Sequence, residues 1–390
     1  MKVLYANPIF LDYRLPFYKR LNELLEGNFY IMYSETRYKG NHDKLYAHIP
    51  EVMGHNAIPF RGEKLYNTYE RSFKKLNTEK GKQIPFTHGF IRTIWKINPD
   101  VLITEGFFQW APLVIIYSIL RHKPVFIGYE RTCHTERNAG LIKKLHRKFT
   151  DLFVKGYLVN GSETTKYLKS LGISPKKIFV GGMSADSEGL VNAIKNFPEK
   201  EKDIFRKHYQ HKDGLIYLFS GQIIERKGVK FLLEAWLEHI KRHTNDTLVL
   251  IGYGDLYDKL KKQYSNEYSI FLEGRVDYDD VYKYYAIADV FVLPTIEDNW
   301  SLVIPEAMAC GLPVATSIYN GCYPELVKKD INGITFDTFN QESIVKALDY
   351  FHHKDLKELG RNSLKLEEPF NTYNCAQREY EAIITAVNTK

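Results

Sequence analysis

Short apolar runs alternate with helical runs along most of this 390-residue chain, and the alternation occurs in two series. The first series runs from a predicted strand at 2–6 to one at 178–180, and the second from 215–219 to 333–336. Such alternation is typical of parallel sheets covered by helices. The sequence therefore predicts an α/β protein with two Rossmann-like domains and a ligand cleft at the carboxyl ends of the strands.

The alternation is lost between residues 184 and 214, where polar and charged residues dominate, and we place the domain boundary at 186. The first domain is predicted to span 1–186 and the second 187–373. Residues 36–66 are polar and irregular, so we expect mainly loops there.

Charge is divided unevenly between the halves. Residues 1–186 carry 29 Lys and Arg against 16 Asp and Glu, whereas residues 187–390 carry 25 against 31. A basic half suits an acidic partner such as membrane phospholipid, a lipid-linked phosphate or nucleic acid, and a solvated lysine-rich surface explains it equally well. No apolar run approaches the roughly 20 residues that a membrane span needs. Residues 1–6 predict a first strand and no signal peptide.

The four cysteines are widely scattered and form no C-x-x-C pair. We therefore expect reduced thiols, no structural zinc and a cytoplasmic location.

The stretch Asp298–Pro313 is predicted to join a strand, a loop and the start of a helix. It follows the apolar run 288–294, and Ser301 offers an N-cap hydroxyl. Unpaired amides at a helix start attract phosphate, whereas the carboxylates of Asp298 and Glu306 suit neutral hydroxyls on a sugar and a ribose. The stretch thus indicates a ligand that is part phosphate and part polyol.

A second string, 220–228, also joins a strand to a helix. Gly221 permits close backbone approach, and Arg226 and Lys227 place two cations beside the strand end. Alone, the string favours a solvated basic turn. Together with the acidic stretch downstream it predicts a diphosphate clamp.

Two further strings are interpreted as structural. Gly252-Tyr253-Gly254 lacks the third glycine of a dinucleotide fingerprint, because Tyr257 stands in its place. Asp277-Tyr278-Asp279 could bind a divalent metal, but it precedes a helical run, so we favour N-cap chemistry and predict no metal site.

Polar residues fill the loop 130–137 after the predicted strand 124–128, a position well suited to a site. His134 could accept or relay a proton there. A surface loop with local ion pairs is the alternative.

The predicted helix 141–153 mixes apolar residues with four cations, namely Lys143, Lys144, Arg147 and Lys148. Core packing of an amphipathic helix with a solvated face is one explanation. Binding of an anionic membrane surface through these cations is the other.

Three strings together resemble the GT-B glycosyltransferases of family 4, a large retaining group that uses nucleotide sugars. They are 220–236, 252–260 and 289–314, and the resemblance extends over nearly the whole chain. The last string matches the family's E-x7-E motif, with Asp298 and Glu306 in the acidic positions. The family fold implies that a final helix at 374–390 crosses back to the first domain.

The resemblance also implies individual roles. Glu306 would bind the donor ribose, Asp298 would lie near the donor sugar, and His134 would lie on the acceptor side. The other implied donor contacts are Gly221, the diphosphate-binding Arg226 and Lys227, the base-contacting Gly274, Arg275 and Val276, and the backbone of Trp300, Ser301, Leu302 and Val303. Candidates on the acceptor side are Glu130, Arg131 and Glu136.

The chain departs from the family pattern at several positions. The first acid is Asp298 where the family has Glu, Gln222 stands where many members have arginine, and Ser301 replaces Gly. The family's glycine-rich N-terminal loop is absent, and residues 8–16 stand in its place.

The implied activity is a retaining, metal-independent transfer that needs no cofactor. A hexose or N-acetylhexosamine would pass from a nucleotide diphosphate sugar, with uridine favoured, to a glycan or lipid-linked acceptor in cell-surface polysaccharide synthesis. We expect a cytoplasmic protein, peripheral at the inner membrane face, with no nucleic-acid partner. Two alternatives stay open: a GT-B-like nucleotide-sugar epimerase, and a non-catalytic basic membrane- or nucleic-acid-binding protein, against which the paired acids argue.

Overall fold

The structure, a computed structural model, describes residues 1–10, 14–38, 49–67, 83–184 and 187–388. Two parallel sheets carry the architecture. This confirms the predicted α/β class with two Rossmann-like units. The boundary at 186 lies outside the described residues and stays a prediction.

The first sheet has seven strands in the order β3-β2-β1-β6-β7-β8-β9, all paired in parallel. Its strands are β1 (Val3–Ala6), β2 (Phe29–Ser34), β3 (Ala57–Phe60), β6 (Val101–Glu105), β7 (Val125–Tyr129), β8 (Gly156–Val159) and β9 (Ile178–Val180). An antiparallel pair, β4 (Glu63–Asn67) with β5 (Gln83–Thr87), stands apart from it. For residues 36–38 and 49–66 the expectation of mainly loops is therefore wrong, because β3 pairs along the edge of β2 and β4 pairs with a partner distant in sequence. The rest of that stretch, 39–48, lies outside the described residues.

The second sheet has six strands in the order β12-β11-β10-β13-β14-β15, again all parallel. Its strands are β10 (Ile216–Ser220), β11 (Thr247–Ile251), β12 (Ile270–Gly274), β13 (Val290–Leu293), β14 (Val314–Ser317) and β15 (Gly333–Phe336). Strands β11, β13 and β14 are buried along their whole length. Burial on both faces explains why β13 and, after Thr247, β11 are continuous apolar runs with no polar alternation.

Helices connect and cover the strands. They span Leu15–Leu24, Glu35–Tyr38, Phe90–Ile97, Ala111–Arg121, Leu141–Asp151, Ser162–Ser170, Ser187–Lys195, Glu199–Tyr209, Val229–His239, Tyr257–Gln263, Val281–Ile287, Val303–Ala309, Tyr323–Leu326, Gln341–Asp349, Leu356–Glu367 and Thr372–Asn388. Among the described residues, every helix is too short or too polar to cross a bilayer.

The last helix returns to the first sheet, as the family resemblance implied. Thr372–Asn388 packs against Leu15–Leu24 and buries Cys375, Ala376 and Ile383 in the core of the N-terminal unit. The chain therefore passes between the two units twice, once before the second sheet and once before the last helix.

Candidate functional site

The carboxyl ends of β10, β11 and β12 meet through glycines. Gly221 has φ 150° and Gly252 has φ 135°, conformations that residues with a Cβ rarely adopt. A Cβ on Gly252 would lie 1.8 Å from the carbonyl oxygen of Gly221, and the Gly252 amide donates to the Gly274 carbonyl at 2.7 Å. The G-x-G turn that the sequence indicated to be structural thus packs directly on Gly221. The position of Gly252 directly after a predicted strand could have suggested this close contact.

Next to this glycine contact, a carboxylate faces two cations. Lys227 Nζ lies 2.5 Å from Asp298 Oδ2, and Arg226 Nη1 lies 3.6 Å from the same oxygen. Burial raises the pKa of Asp298, but the charge of Lys227 and then that of Arg226 outweigh it, so the pKa lies below its usual value. Asp298 is therefore ionised at neutral pH, and the structure brings the predicted clamp and the first acid together.

The loop after β13 is tied to the turn that carries these cations. Arg226 donates from Nη1 to the Glu297 carbonyl at 2.9 Å, and its own carbonyl accepts from the Ile296 amide and the Thr295 hydroxyl, both at 3.0 Å. Gly228 approaches so closely that a Cβ there would meet the Pro294 carbonyl at 2.0 Å. Strand ends β10 and β13 thus present one rigid, charged rim.

Glu306 lies in the first turn of the helix Val303–Ala309, where Tyr285 OH donates to its Oε2 at 3.2 Å. Burial, and then the charge of Glu306, hold the pKa of Tyr285 well above its usual value. The helix begins later than predicted. Leu302 occupies the N-cap position without a side-chain cap, so the N-cap role expected for Ser301 is wrong.

The predicted base-contacting string follows β12. Gly274 has φ 79°, and a Cβ there would meet Tyr257 OH at 2.7 Å. Arg275 is exposed and Val276 is half-buried. Tyr257, which stands where a dinucleotide fingerprint would have glycine, donates to the Leu272 carbonyl at 3.2 Å and supports this strand end.

His134 reaches across from the N-terminal unit. Its Nε2 lies 3.0 Å from the Ile296 carbonyl, and its ring stacks on Tyr319 with centroids 4.9 Å apart. Arg137 adds an ion pair to Glu297 at 2.6 Å. The polar loop predicted at 130–137 therefore meets the rim of the second sheet across the cleft.

Two more contacts join the units, and sequence reasoning missed both. Trp300 is 5% exposed and donates from Nε1 to the Met183 carbonyl at 3.2 Å. The Ser162 amide donates to Glu325 Oε1 at 2.6 Å. The indole of Trp300 is thus committed to the joint between units, a role that only the fold could reveal.

A cavity of about 410 Å³ opens beside the loop 130–137 on the N-terminal side. Its lining includes Asn7, Phe107, Phe108, Glu130, Arg131 and Asn299, of which the last belongs to the second unit. Burial, and then the charge of Glu105, raise the pKa of Glu130 to about 7. A carboxyl that changes charge near neutral pH therefore lies at this cavity.

Glu136 is 4% exposed and is bound by cations on its own side of the cleft. Arg147 contacts both carboxylate oxygens, at 2.9 and 3.0 Å, and Lys143 lies 3.0 Å away. Burial raises the pKa of Glu136, but these cations lower it below its usual value. Arg131 is more distant, at 3.8 Å.

Arg147 is 2% exposed and lies over the rings of Phe107, Tyr129 and Tyr167. Arg147 was one of the four cations predicted to bind an anionic membrane surface, and for Arg147 that prediction is wrong because its side chain is buried. Its position on the helix turns it inward, where Glu136 balances its charge.

The string Asp277–Asp279 also differs from expectation. The short 3-10 turn Tyr278–Asp280 precedes the helix Val281–Ile287, with Asp280 at its N-cap and no side-chain cap. The N-cap role predicted for this string is therefore wrong.

Residues 200–365 match the family described as Glycosyl transferases group 1. The chain is 34% identical over 158 residues to the uncharacterized glycosyltransferase MJ1607 of Methanocaldococcus jannaschii, a match covering 40% of each chain. It is 28% identical over 190 residues to the UDP-Gal:alpha-D-GlcNAc-diphosphoundecaprenol alpha-1,3-galactosyltransferase of Escherichia coli, covering 46% of each. The chain thus spans less than half the length of these two relatives.

The whole fold has known counterparts. The crystal structure of Anabaena Alr3699/HepE in complex with UDP superposes with a TM-score of 0.75, covering 99% of this chain and 100% of that one, at 13% identity. At this identity the likeness concerns the fold. Residues 200–365 are therefore similar to the group 1 glycosyl transferases, and the chain as a whole has the GT-B fold.

Proposed function

We propose that this glycosyltransferase is a retaining enzyme of family 4, which moves a hexose or N-acetylhexosamine from a nucleotide diphosphate sugar to a lipid-linked or glycan acceptor in cell-surface polysaccharide synthesis. One observation carries the proposal: Arg226 and Lys227 lie beside Asp298 at the strand ends, facing His134 across the cleft. Cations for a diphosphate and an acid for hydroxyl groups then lie beside the loop that the histidine of the N-terminal unit contacts.

The donor is proposed to lie along the carboxyl ends of the second sheet. Glu306 would accept hydrogen bonds from ribose hydroxyls, and the base would lie near the backbone of Gly274–Val276. The glycine contact of Gly221 with Gly252 would keep side chains away from the diphosphate. The UDP in the Anabaena structure and the UDP-galactose in the name of the Escherichia coli relative support a uridine donor.

The reaction breaks the bond between the sugar and the diphosphate, and negative charge grows on the leaving oxygen. Arg226 and Lys227 would stabilise that charge, the kind of electrostatic effect that contributes most to many enzymes. They are fixed before the reaction by the ion pair with Asp298 and the hydrogen bond to Glu297. We propose attack from the face that the diphosphate leaves, with the diphosphate accepting the acceptor's proton and no metal required.

The acceptor is proposed to enter the cavity of about 410 Å³, whose lining joins Glu130 and Arg131 to the first turns of the helix Leu141–Asp151. That helix is a reason to favour a lipid-linked acceptor. Its apolar side chains do not pack into the core as one explanation expected. Leu141, Ile142, Leu145 and Phe149 of the helix, and Leu152 directly after it, are 62–85% exposed.

We propose that this helix lies on an anionic membrane. Lys144 and Lys148 are exposed among the apolar side chains, the combination typical of helices that lie in a membrane interface. Phe108, which lines the cavity, stacks on His146 of the same helix at 5.0 Å. A helix seated on the membrane would therefore hold the cavity mouth beside the lipid head groups.

The activity is tested by incubating the purified protein with UDP-, GDP- and ADP-sugars, with and without an acceptor. The expected result is nucleotide release that depends on one class of donor and rises with a diphospholipid acceptor. Release without any glycosylated product, or an epimerised sugar, would favour the epimerase alternative. If no donor releases nucleotide or protects the fold against heat, the proposal is wrong.

Membrane contact is tested by sedimentation with phosphatidylglycerol-containing vesicles. Replacing both Leu145 and Phe149 by serine should weaken binding at least about tenfold, since burial of each large apolar side chain is worth about 1.5–3 kcal/mol. Ile204→Ser, which changes a 63% exposed apolar residue of the second unit, is the matched control. Unchanged sedimentation of the double variant would refute membrane seating by this helix.

A further inference from the structure

Three histidines and two aspartates form a cluster at the amino ends of the second sheet. His239 ends the helix Val229–His239, Asp246 precedes β11, and His352 lies in the short turn Tyr350–His353. The donor site lies at the opposite, carboxyl ends of these strands, roughly 15 Å away for a strand of five residues at about 3.3 Å each. The cluster is therefore separate from the proposed reaction.

Asp246 lies at the centre of the cluster and is 1% exposed. Its Oδ2 is 2.9 Å from His239 Nε2 and 2.6 Å from His352 Nε2. The other carboxylate oxygen accepts the Leu215 amide at 2.9 Å. Two imidazole nitrogens and one carboxylate oxygen thus converge, and these three atoms lie within 4.8 Å of one another.

The second nitrogen of His239 is also fixed. His239 is fully buried, and its Nδ1 lies 2.6 Å from Asp349 Oδ1. A neutral imidazole carries a single N–H, so it can donate to one carboxylate only. Because both nitrogens of His239 face carboxylate oxygens, either a second proton or a metal ion must lie at one of them.

We propose that His239 Nε2, Asp246 Oδ2 and His352 Nε2 form a zinc site. Imidazole and carboxylate ligands suit Zn²⁺, which is bound at about 2.0–2.2 Å by such atoms in a tetrahedral arrangement. Ligand atoms around such an ion are slightly farther apart than the 2.6 and 2.9 Å seen here, so the side chains move by a few tenths of an ångström. A water molecule completes the shell.

The surroundings of the three ligands support a metal site. A histidine that binds a metal usually donates its other N–H to a carboxylate, and a carboxylate ligand is in turn hydrogen-bonded. Asp349 does the first for His239, and the Leu215 amide does the second for Asp246. Arg242 Nη2, 2.6 Å from Asp349 Oδ2, balances the outer charge.

The ion would cross-link parts of the chain that are far apart in sequence, since its ligands come from residues 239, 246 and 352. It would join the end of a helix, the start of a central strand and the turn after the helix Gln341–Asp349. The expected role is structural: zinc stabilises the second unit and leaves the donor site unchanged.

The test uses the full chain, freed of metal with a chelator and titrated with ZnCl2 or MgCl2. The expected result is one zinc bound per chain, a higher unfolding temperature with zinc alone, and a tetrahedral visible spectrum with Co²⁺. His352→Ala should weaken binding by more than the about 10–100-fold that loss of an outer partner costs, and Asp349→Asn should fall within that range. His353→Ala changes the exposed neighbouring histidine and is the matched control.

The proposal is overturned if one zinc per chain still binds after His352→Ala, or if the intact chain binds no zinc. If His352→Ala fails to fold, Asp349→Asn decides, because a folded Asp349→Asn with unchanged zinc affinity refutes the site equally. If the protein binds zinc as expected but releases no nucleotide from any sugar donor, the proposed function is wrong and the zinc site stands.

Discussion

Replacing Lys227 by methionine removes the cation nearest to Asp298 and leaves that carboxylate almost buried. The two side chains are 13% and 11% exposed, and their charged atoms are 2.5 Å apart. Breaking a buried ion pair by removing one partner costs about 3–5 kcal/mol. Because Arg226 remains 3.6 Å from the carboxylate, we expect the lower end, about 3 kcal/mol.

A double-mutant cycle separates this pair from its surroundings. Asp298→Asn should cost a similar amount, and the double variant should cost about 4 kcal/mol, giving a coupling of about 2 kcal/mol. Urea unfolding followed by circular dichroism measures each free energy of unfolding. Lys230→Met is the control, since Lys230 pairs with the exposed Glu225, and exposed pairs contribute about 0–1 kcal/mol.

The coupling has a defined pH dependence. The pKa of Asp298 is lower in the folded protein than in the unfolded chain, so the pair stabilises the fold above the unfolded value of about 3.9. That stability is lost as pH falls through the lower, folded value. The coupling should therefore be constant from pH 5 to 8. A coupling below about 0.5 kcal/mol, the scatter of independent sites, would refute the pair.

Three further changes probe the donor site and the core. Glu306→Gln should raise the donor KM about tenfold or more, since hydrogen bonds to a charged group are worth about 1.5–3 kcal/mol; steady-state nucleotide release measures it. Gly221→Ala should cost about 1–3 kcal/mol of stability because its φ is 150°, and urea unfolding measures it. Glu367→Gln should leave stability unchanged at pH 4.5 and raise it by about 1–3 kcal/mol at pH 8, as urea unfolding at the two pH values would show.

The sign of the last prediction follows from burial, which raises the pKa of Glu367 from 4.5 to about 7. Between these values the unfolded chain releases a proton that the folded chain keeps, so the wild type loses stability as pH rises, and the loss is complete above 7. Glutamine cannot ionise, so the Glu367→Gln variant does not lose this stability as pH rises. The exposed Glu368→Gln is the control, and an equal pH profile for both variants would contradict this reasoning.

Gly140→Ala serves as the control for Gly221→Ala, because Gly140 has φ −66° and open space around it. Alanine should be tolerated there. For Glu306→Gln, an unchanged donor KM would contradict the ribose contact.

Local sequence predicted the strands of the second sheet well. The run 288–294 is apolar and β-branched, and it contains β13, Val290–Leu293, with all four residues buried. A central parallel strand is covered on both faces, so four or five consecutive apolar residues are enough to predict it. The loops at its carboxyl end were predictable for the same reason, since parallel strands bring their ends to one edge.

The side-chain partners were not predictable in this way. The spacing of the helix Leu141–Asp151 marks an apolar face and a basic face, but it does not say which face meets protein. The fold turns Arg147 inward to Glu136 and leaves Leu145 and Phe149 outside. Helical periodicity is a local property, whereas burial depends on what the neighbouring elements cover.

By itself, the sequence determined the two alternating series, the glycines at the strand ends, and the charged strings at 226–227 and 298–306. These depend on backbone preferences and on spacing within a few residues. Tertiary structure alone decided that Lys227 meets Asp298, that His134 reaches Ile296, and that Asp246 gathers two histidines. Such contacts join residues 71 to 162 positions apart, and even the short link from Asp246 to His239 needs His352 to complete it. Only chain packing can set those distances.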